Sequence, residues 1–244
     1  MCRKKRFYPE SKFGGFTDVD GTITFFNRIN ALLEPSFVVC DVGCGWGQYV
    51  DDPVPFRKNL RILKGKVSKV IGIDIDHSAQ SNPFIDEYRA INGESWPLED
   101  SSVDLILCDN VLEHVAKPNM FFSEARRILR NGGYFCIRTP NRWNYIALAS
   151  KLIPNRHHFS VVRAIQNKRK EEDCYLTLYK CNSIRTIKKV MKRMGFDCVV
   201  YGYEAEPAYL SFSRIFYALG VAYQRFSPAC FRSTIFAFGQ VKKK

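Results

Sequence analysis

Histidine is scarce, with four in 244 residues, so chemistry that relies on imidazole has few positions to use. Long apolar runs are also missing. No window reaches the ~18 uncharged apolar residues that a membrane span needs, and the longest stretch of that kind, 209–238, is broken by Arg214, Arg225 and Arg232. The opening MCRKKRFYPE is basic with no apolar segment behind it, which predicts no secretory leader. CxxC spacing is absent and the nine cysteines are an odd number. Both facts argue against a disulfide framework or a zinc site and for small buried thiols in a reduced, cytoplasmic chain. Cys40, Cys108 and Cys136 sit inside apolar strand-like runs. Acidic residues are short, 24 against 37 basic ones, for a net charge of +13. That balance suits anionic partners: nucleic acid, lipid headgroups or phosphorylated molecules. Part of it lies in the Arg3–Arg6 cluster and the final Lys242–Lys244. No basic motif interleaved with aromatics appears, so nucleic acid is not favoured as a partner. There is no internal repeat and no low-complexity segment.

What is present is a large core. Hydrophobic residues make up 46% and aromatics 14%, as expected of a globular α/β chain. "FVVCDV" (37–42), "KVIGIDI" (69–75), "YRAING" (88–93), "SVDLILCDNV" (102–111) and "GYFCIRTP" (133–140) read as strands. "FDCVVYGY" (196–203) and "STIFAFGQV" (233–241) are two late ones. Between them the spacing predicts helices in "INALLEPSF" (29–37), stopping at Pro35, and over 56–65, 119–133 and 183–195, the last three stopping on glycine. Alternating strands and helices imply a doubly wound, seven-stranded, mostly parallel sheet. A single domain over 1–244 follows, with a lead-in or cap at 1–36 and a substrate-lid insertion at 141–181.

Two motifs compete for the chemistry. "GGFTDVDGTITFF" (14–26) resembles the opening of the haloacid dehalogenase-like phosphotransferases, in which Asp18 would be the nucleophile and Asp20 the general acid. That site needs its first aspartate at the end of a buried strand, and "ESKFGGFT" before it is polar and Gly-rich. Asp20-Gly21 is a strong turn dipeptide. The motif therefore reads as a turn just before the first helix, with a share in a cover over the ligand.

"VVCDVGCGWGQYV" (38–50) is the stronger signal. A buried strand runs through Asp41 into Gly43, Gly45 and Gly47. Glycines permit the tight turn and let a ligand approach the main chain. The spacing is G-x-G-x-G rather than the G-x-G-x-x-G of dinucleotide folds. The second strand ends in Asp74, placed so that its carboxylate can accept from both hydroxyls of a ribose. Together they predict a nucleoside site at the carboxyl ends of the first two strands.

Asp-x-Gly-x-Gly-x-Gly with a later strand-end acid resembles the class I S-adenosylmethionine-dependent methyltransferases, with their Rossmann-like fold. "NGESWPLEDSSVDLILCDNVLEHV" and "FFSEARRILRNGGYFCIRTPN" resemble the family's following segments in the right order. The likeness covers roughly 35–142. It is nearest to the type 11/23-like members found in polysaccharide and lipid biosynthesis, which "RTPNRWNYIALASKLIPNRHHFSV" (138–161) also resembles. The resemblance implies S-adenosyl-L-methionine as cofactor. Gly43, Gly45 and Gly47 would pass under its methionine part, Asp41 would help hold the amino group, Asp74 the ribose, and Ile75 would pack on the adenine. Glu94 would stand in for the usual Asp near the adenine amino group, with Trp96 at the same rim. Asp109 and Asn110 would lie near the sulfonium and the acceptor entrance. His114, in "VLEHV", and His158, or its neighbour His157, in the lid segment, are the expected proton acceptors. His77 reads as a helix-start residue. Some related O-methyltransferases bind a divalent cation through the Glu-His of this segment and a further acid. Glu113 and His114 match that pair, but Asn110 stands three positions before Glu113, and no metal is expected.

The implied reaction is methyl transfer to a small, saccharide-linked or lipid-linked acceptor, at oxygen. The basic charge leaves an RNA- or protein-directed methyltransferase as the alternative. Against it, the chain reads Asp109-Asn110-Val111-Leu112 at the fourth strand's end, not the Asn-Pro-Pro-Tyr type of amino-group methylators. A regulatory module that binds cofactor without catalysis is the third reading. Arg214 and Arg225 share a helical face among Phe212, Ile215, Phe216, Leu219 and Tyr223, which suits either an ordinary packed helix with two exposed arginines or peripheral contact with an anionic membrane.

Overall fold

The computed structural model describes residues 3–144 and 176–242. Seven strands form one sheet in the order β3-β2-β1-β4-β5-β7-β6: β1 Val38–Val42, β2 Lys69–Asp74, β3 Glu87–Ala90, β4 Val103–Asp109, β5 Leu129–Pro140, β6 Phe196–Tyr203 and β7 Thr234–Val241. The first five pair in parallel, and β7 runs antiparallel to both β5 and β6. The strand order reverses between β1 and β4, so the carboxyl ends of β1, β2 and β4 open a crevice there.

Why the central strands are continuous apolar runs is clear from where alternate residues go. Val39, Leu105 and Leu107 pack into one core with Phe25, Phe26 and Ile29. Cys40, Ile106 and Cys108 pack into the other with Phe122, Ile128, Ile187 and Met191. Both faces are covered, so both phases of the strand must be apolar. The cysteines serve as small buried side chains, and the seven that are described are all free thiols. β7 is fully buried at Ile235, Phe236 and Ala237 because it lies inside the sheet. β6 carries exposed Asp197 and Val199 because it is an edge.

The helices are α1 Arg3–Phe7, α2 Gly21–Asn30, α3 Pro55–Arg61, α4 Pro118–Ile128, α5 Ile184–Arg193 and α6 Arg214–Phe226 among the described residues. Three expectations need correction. The first long helix begins at Gly21 and ends at Asn30, so "INALLEPSF" holds only its last two residues. α3 stops at Arg61, four residues before Gly65, because Ile62 turns extended. α4 stops at Ile128, since Leu129 pairs with Val103 and opens β5 ahead of the two glycines. α5 does end as expected, with Gly195 left-handed just beyond it. Most of 141–181, the expected lid, lies outside the described residues, and so do His157 and His158.

Within the segment read as a lead-in or cap, α2 supplies three fully or nearly fully buried side chains, Phe25, Phe26 and Ile29, to one core. The aspartate motif sets the start of that helix. Asp20 is its N-cap, and its Oδ1 accepts from the backbone N–H of Thr22 and of Ile23, each at 3.0 Å. Its other oxygen accepts from Arg57 at 2.8 Å. Asp20→Ala is therefore expected to lower stability by about 1–2 kcal/mol, the usual loss of a capping side chain. A thermal melt checks it. A variant as stable as the parent would show that the cap contributes nothing.

Candidate functional site

β1 delivers its chain into a loop in which Gly43, Gly45 and Gly47 all adopt positive φ, 66°, 50° and 81°. Only glycine takes that conformation freely. The positions differ in what surrounds them. A Cβ on Gly43 would fall 2.4 Å from Val111 Cγ2, and one on Gly47 would fall 2.8 Å from Asn82 Oδ1. A Cβ on Gly45 would meet nothing within 4 Å. The outer glycines are thus held by close packing, and the middle one borders open space where a ligand can approach the main chain.

Asp74 holds this loop as well as facing it. Its Oδ2 accepts from the Gly45 N–H at 2.9 Å, and its Oδ1 accepts from the Asp76 N–H at 3.0 Å. A carboxylate has about four acceptor positions, so each oxygen retains capacity for a hydroxyl donor. Asn82 was not foreseen. Its side-chain amide donates to the carbonyls of Cys44 and Gly45, both at 3.0 Å, and locks the loop from the far side. It sits 37 residues from Gly45, with no local pattern to mark it. Ile75, next to Asp74, is 65% exposed, an apolar platform beside the crevice.

Asp41 lies under the loop, and no described side chain or backbone group hydrogen-bonds its carboxylate. Removal from water pushes its carboxyl up to about 7, with Asp109 and Asp74 adding to the rise and Arg61 opposing it. An unfolded aspartate titrates near about 3.9. Between those values the folded chain holds a proton the unfolded chain has released, so stability falls as pH rises through that window. The slope is up to about 1.4 kcal/mol per pH unit. Asp41→Asn is expected to flatten the slope, which thermal melts at a series of pH values from about 4 to about 7 would reveal. An unchanged slope would mean that Asp41 is already ionised across the range.

Beside it stands a charge cluster that local patterning did not reveal. Arg138, at the end of β5, grips Asp109 with two hydrogen bonds of 2.6 Å and donates to Thr22 Oγ1 of α2 at 2.8 Å. Its guanidinium lies 5.4 Å and 5.7 Å from the ring centres of Phe25 and Phe26. Arg61 reaches the same place from α3, 3.8 Å from Asp109 Oδ2 and 4.3 Å over the Tyr49 ring. Its Nε is buried with no hydrogen-bond partner among the described residues. Burial lowers the Arg61 pKa, and Asp109 opposes that shift. Asn110 takes a left-handed φ of 58°. Its N–H donates to the Arg138 carbonyl at 2.8 Å and its amide to Asp109 Oδ1 at 2.9 Å. Asp109 is the last residue of β4 with Asn110 just beyond it, and both oxygens of the Asp109 carboxylate are engaged by Arg138.

Glu94 is exposed and pairs with Lys117. Trp96 is corrected from the rim to the interior. It is 5% exposed and packs edge-on against Phe121. His77 opens a short 3-10 turn that Asp76 caps, as a start residue should.

His114 lies in the turn after β4. Its Nδ1 is 3.1 Å from the Leu176 carbonyl. A carbonyl only accepts, so Nδ1 donates to it, and in the neutral ring that leaves the lone pair on Nε2. Nε2 is 3.9 Å from Glu113 Oε1. Glu113 is buried and accepts from Thr139 Oγ1 at 2.9 Å, which in turn accepts from Asn182 at 2.6 Å. Burial pushes the Glu113 carboxyl up. This chain of side chains fixes the turn that carries His114.

Comparison with known proteins agrees with the geometry. The methyltransferase-domain family model matches residues 40–137, the stretch from β1 through β5. The ubiquinone biosynthesis O-methyltransferase of Bartonella tribocorum is 30% identical over 136 residues, covering 52% of this chain and 53% of that protein. The chain spans about half the length, or less, of the curated relatives it matches. Among solved structures, a SAM-dependent methyltransferase from Archaeoglobus fulgidus superposes with a TM-score of 0.57 at 14% identity, over 95% of this chain and 97% of that one. Geranyl diphosphate C-methyltransferase from Streptomyces coelicolor A3(2) superposes with 0.53 at 14% identity, over 91% and 78%. At that identity the solved structures establish the shared fold.

Proposed function

We propose that this chain, which carries a class I S-adenosylmethionine-dependent methyltransferase domain, transfers a methyl group to an oxygen of a small, saccharide-linked or lipid-linked acceptor. The observation that carries the reading is the glycine loop tied by its middle N–H to the Asp74 carboxylate. The residues fit the cofactor. Open space faces Gly45, Asp74 has acceptor capacity for the ribose hydroxyls, and Ile75 offers an apolar surface for the adenine. The methionine tail is a zwitterion, and the site provides one group of each sign for it: the Asp41 carboxylate for the ammonium and the Arg61 guanidinium for the carboxylate. Glu94 is assigned to the adenine amino group, which requires it to leave Lys117.

S-adenosylmethionine, when bound, supplies an electrophilic sulfonium methyl. The chain's own part is alignment and proton removal. Asp109 and Asn110, fixed by Arg138, define the floor of the acceptor entrance. His114 Nε2 is assigned to take the hydroxyl proton, and His158 is the second position proposed for that role. Oxygen as the acceptor atom is supported by the O-methyltransferase likeness of 30% over half the chain and by the absence of an Asn-Pro-Pro-Tyr segment after β4.

The test is transfer of an isotopically labelled methyl group to a panel of phenols, saccharides, lipid extracts and RNA. Labelled ether product from a small or lipid-linked acceptor supports the reading. Label in RNA or protein alone would replace it with the macromolecular alternative. With an acceptor in hand, His114→Ala is expected to lower kcat by about 10²–10⁴, the range for loss of a general base, with cofactor affinity unchanged. If His158→Ala gives that loss instead, the base lies in the segment 145–175.

A further inference from the structure

α6 buries one face and leaves another apolar face uncovered among the described residues. Tyr217, Gly220 and Val221 are buried. Tyr217 meets Phe7 of α1 at 5.5 Å, and Tyr217 and Val221 share a small core with Tyr8. Ile215, Leu219 and Phe226 follow one another along the helix with Phe216 beside them, and Phe212 precedes the helix against Phe216. These five side chains are 52–82% exposed. Scattered exposed apolar residues are ordinary, but five in one stripe are not.

Charge decides what such a stripe suits. Residues 207–232 contain three arginines and no Asp or Glu. Arg214 and Arg225 are exposed at the two ends of the helix. α1, packed against α6 through Phe7, adds exposed Lys5 and Arg6. None of the four forms an ion pair with a described residue. The neighbouring acid, Glu206, is paired with Lys4. An apolar stripe edged only by cations is the pattern of a helix lying in the plane of a membrane interface, with its apolar side chains among the acyl chains and its cations at anionic headgroups.

We propose that the face formed by α6 and α1 docks on an anionic membrane surface, with Phe212, Ile215, Phe216, Leu219 and Phe226 entering the interface and Lys5, Arg6, Arg214 and Arg225 meeting the headgroups. None of these nine side chains is among those assigned to methyl transfer, and failure of this proposal leaves that reading untouched. No helix of the described residues is long and apolar enough to cross a membrane, so the contact is peripheral.

The test is flotation of the full chain with vesicles of phosphatidylcholine alone and of phosphatidylcholine with phosphatidylglycerol, together with light scattering of the free protein. The expected result is binding to the anionic vesicles at least tenfold above the neutral ones, with release at about 1 M salt, where the screening length falls to about 3 Å. Leu219→Glu with Ile215→Glu is expected to reduce binding at least tenfold. Both positions are exposed, so its melting temperature should match the parent's. Arg214→Gln with Arg225→Gln tests the charge half without touching the stripe. Failure to bind either vesicle overturns the proposal, as does salt-independent binding that is equal on both. A dimer in light scattering that the paired Glu substitutions convert to a monomer would also overturn it, by assigning the stripe to a second copy of the chain.

Discussion

Asp74→Ala is expected to weaken S-adenosylmethionine binding at least hundredfold in isothermal titration and to lower the melting temperature by several degrees. Two effects combine. The ribose loses a charged acceptor for its hydroxyls, and hydrogen bonds to charged groups contribute about 1.5–3 kcal/mol each. Two of them correspond to a hundredfold or more, at about 1.4 kcal/mol per factor of ten. The second effect is internal. Asp74 also accepts from the Gly45 and Asp76 N–H groups, so its removal frees the loop it would otherwise hold in the binding shape. Asp74→Asn separates the two, since it keeps one acceptor oxygen and the side-chain volume while losing the charge. It should retain most of the stability and lose most of the affinity. Unchanged affinity in Asp74→Ala would move the cofactor site elsewhere in the molecule.

Arg138→Ala should give the largest loss of stability of any single substitution proposed for this chain, about 3–5 kcal/mol. That is the range for removing one partner of a buried ion pair. Arg138 is 9% exposed, and without it Asp109 faces Asp41 with only the more distant Arg61 to offset the charge. For a chain of this size the melting temperature should fall by roughly 6–20 °C. Replacing both partners with apolar residues, Arg138→Met with Asp109→Leu, should recover most of that loss, because no uncompensated charge remains. If Arg138→Ala costs less than about 1 kcal/mol, solvent screens the pair as it would on an exposed surface.

The local surroundings of the two competing motifs distinguish them. The aspartates at 18 and 20 have no strand before them, and Asp20 was legible as a turn residue from its glycine neighbour. Its capping of Thr22 and Ile23 is the short-range chemistry that reading requires. The glycine loop was legible for the same reason. A continuous β-branched run, three glycines at fixed spacing and an acid at the end of the next strand each act within a few residues. The helix limits were less legible. Leu129 fits a helix by spacing, but it pairs with Val103 across the sheet, and that pairing decides where α4 ends.

The amino-acid sequence by itself determined the class of fold, the strands that compose it and the glycine loop, because periodicity, turn chemistry and loop spacing are properties of neighbouring residues. Only the tertiary structure decided which distant groups meet. Arg138 reaches Thr22 across 116 positions and Asp109 across 29, while Asn82 reaches back to the loop carbonyls. Arg61, one arginine among many along the chain, becomes distinct only when α3 packs beside α2 and lays it over Tyr49. The place of β7 between β5 and β6 is of the same kind. The sheet's hydrogen bonds join segments far apart in the chain, and their choice of partner is settled by the burial of both faces together rather than by any local run of residues.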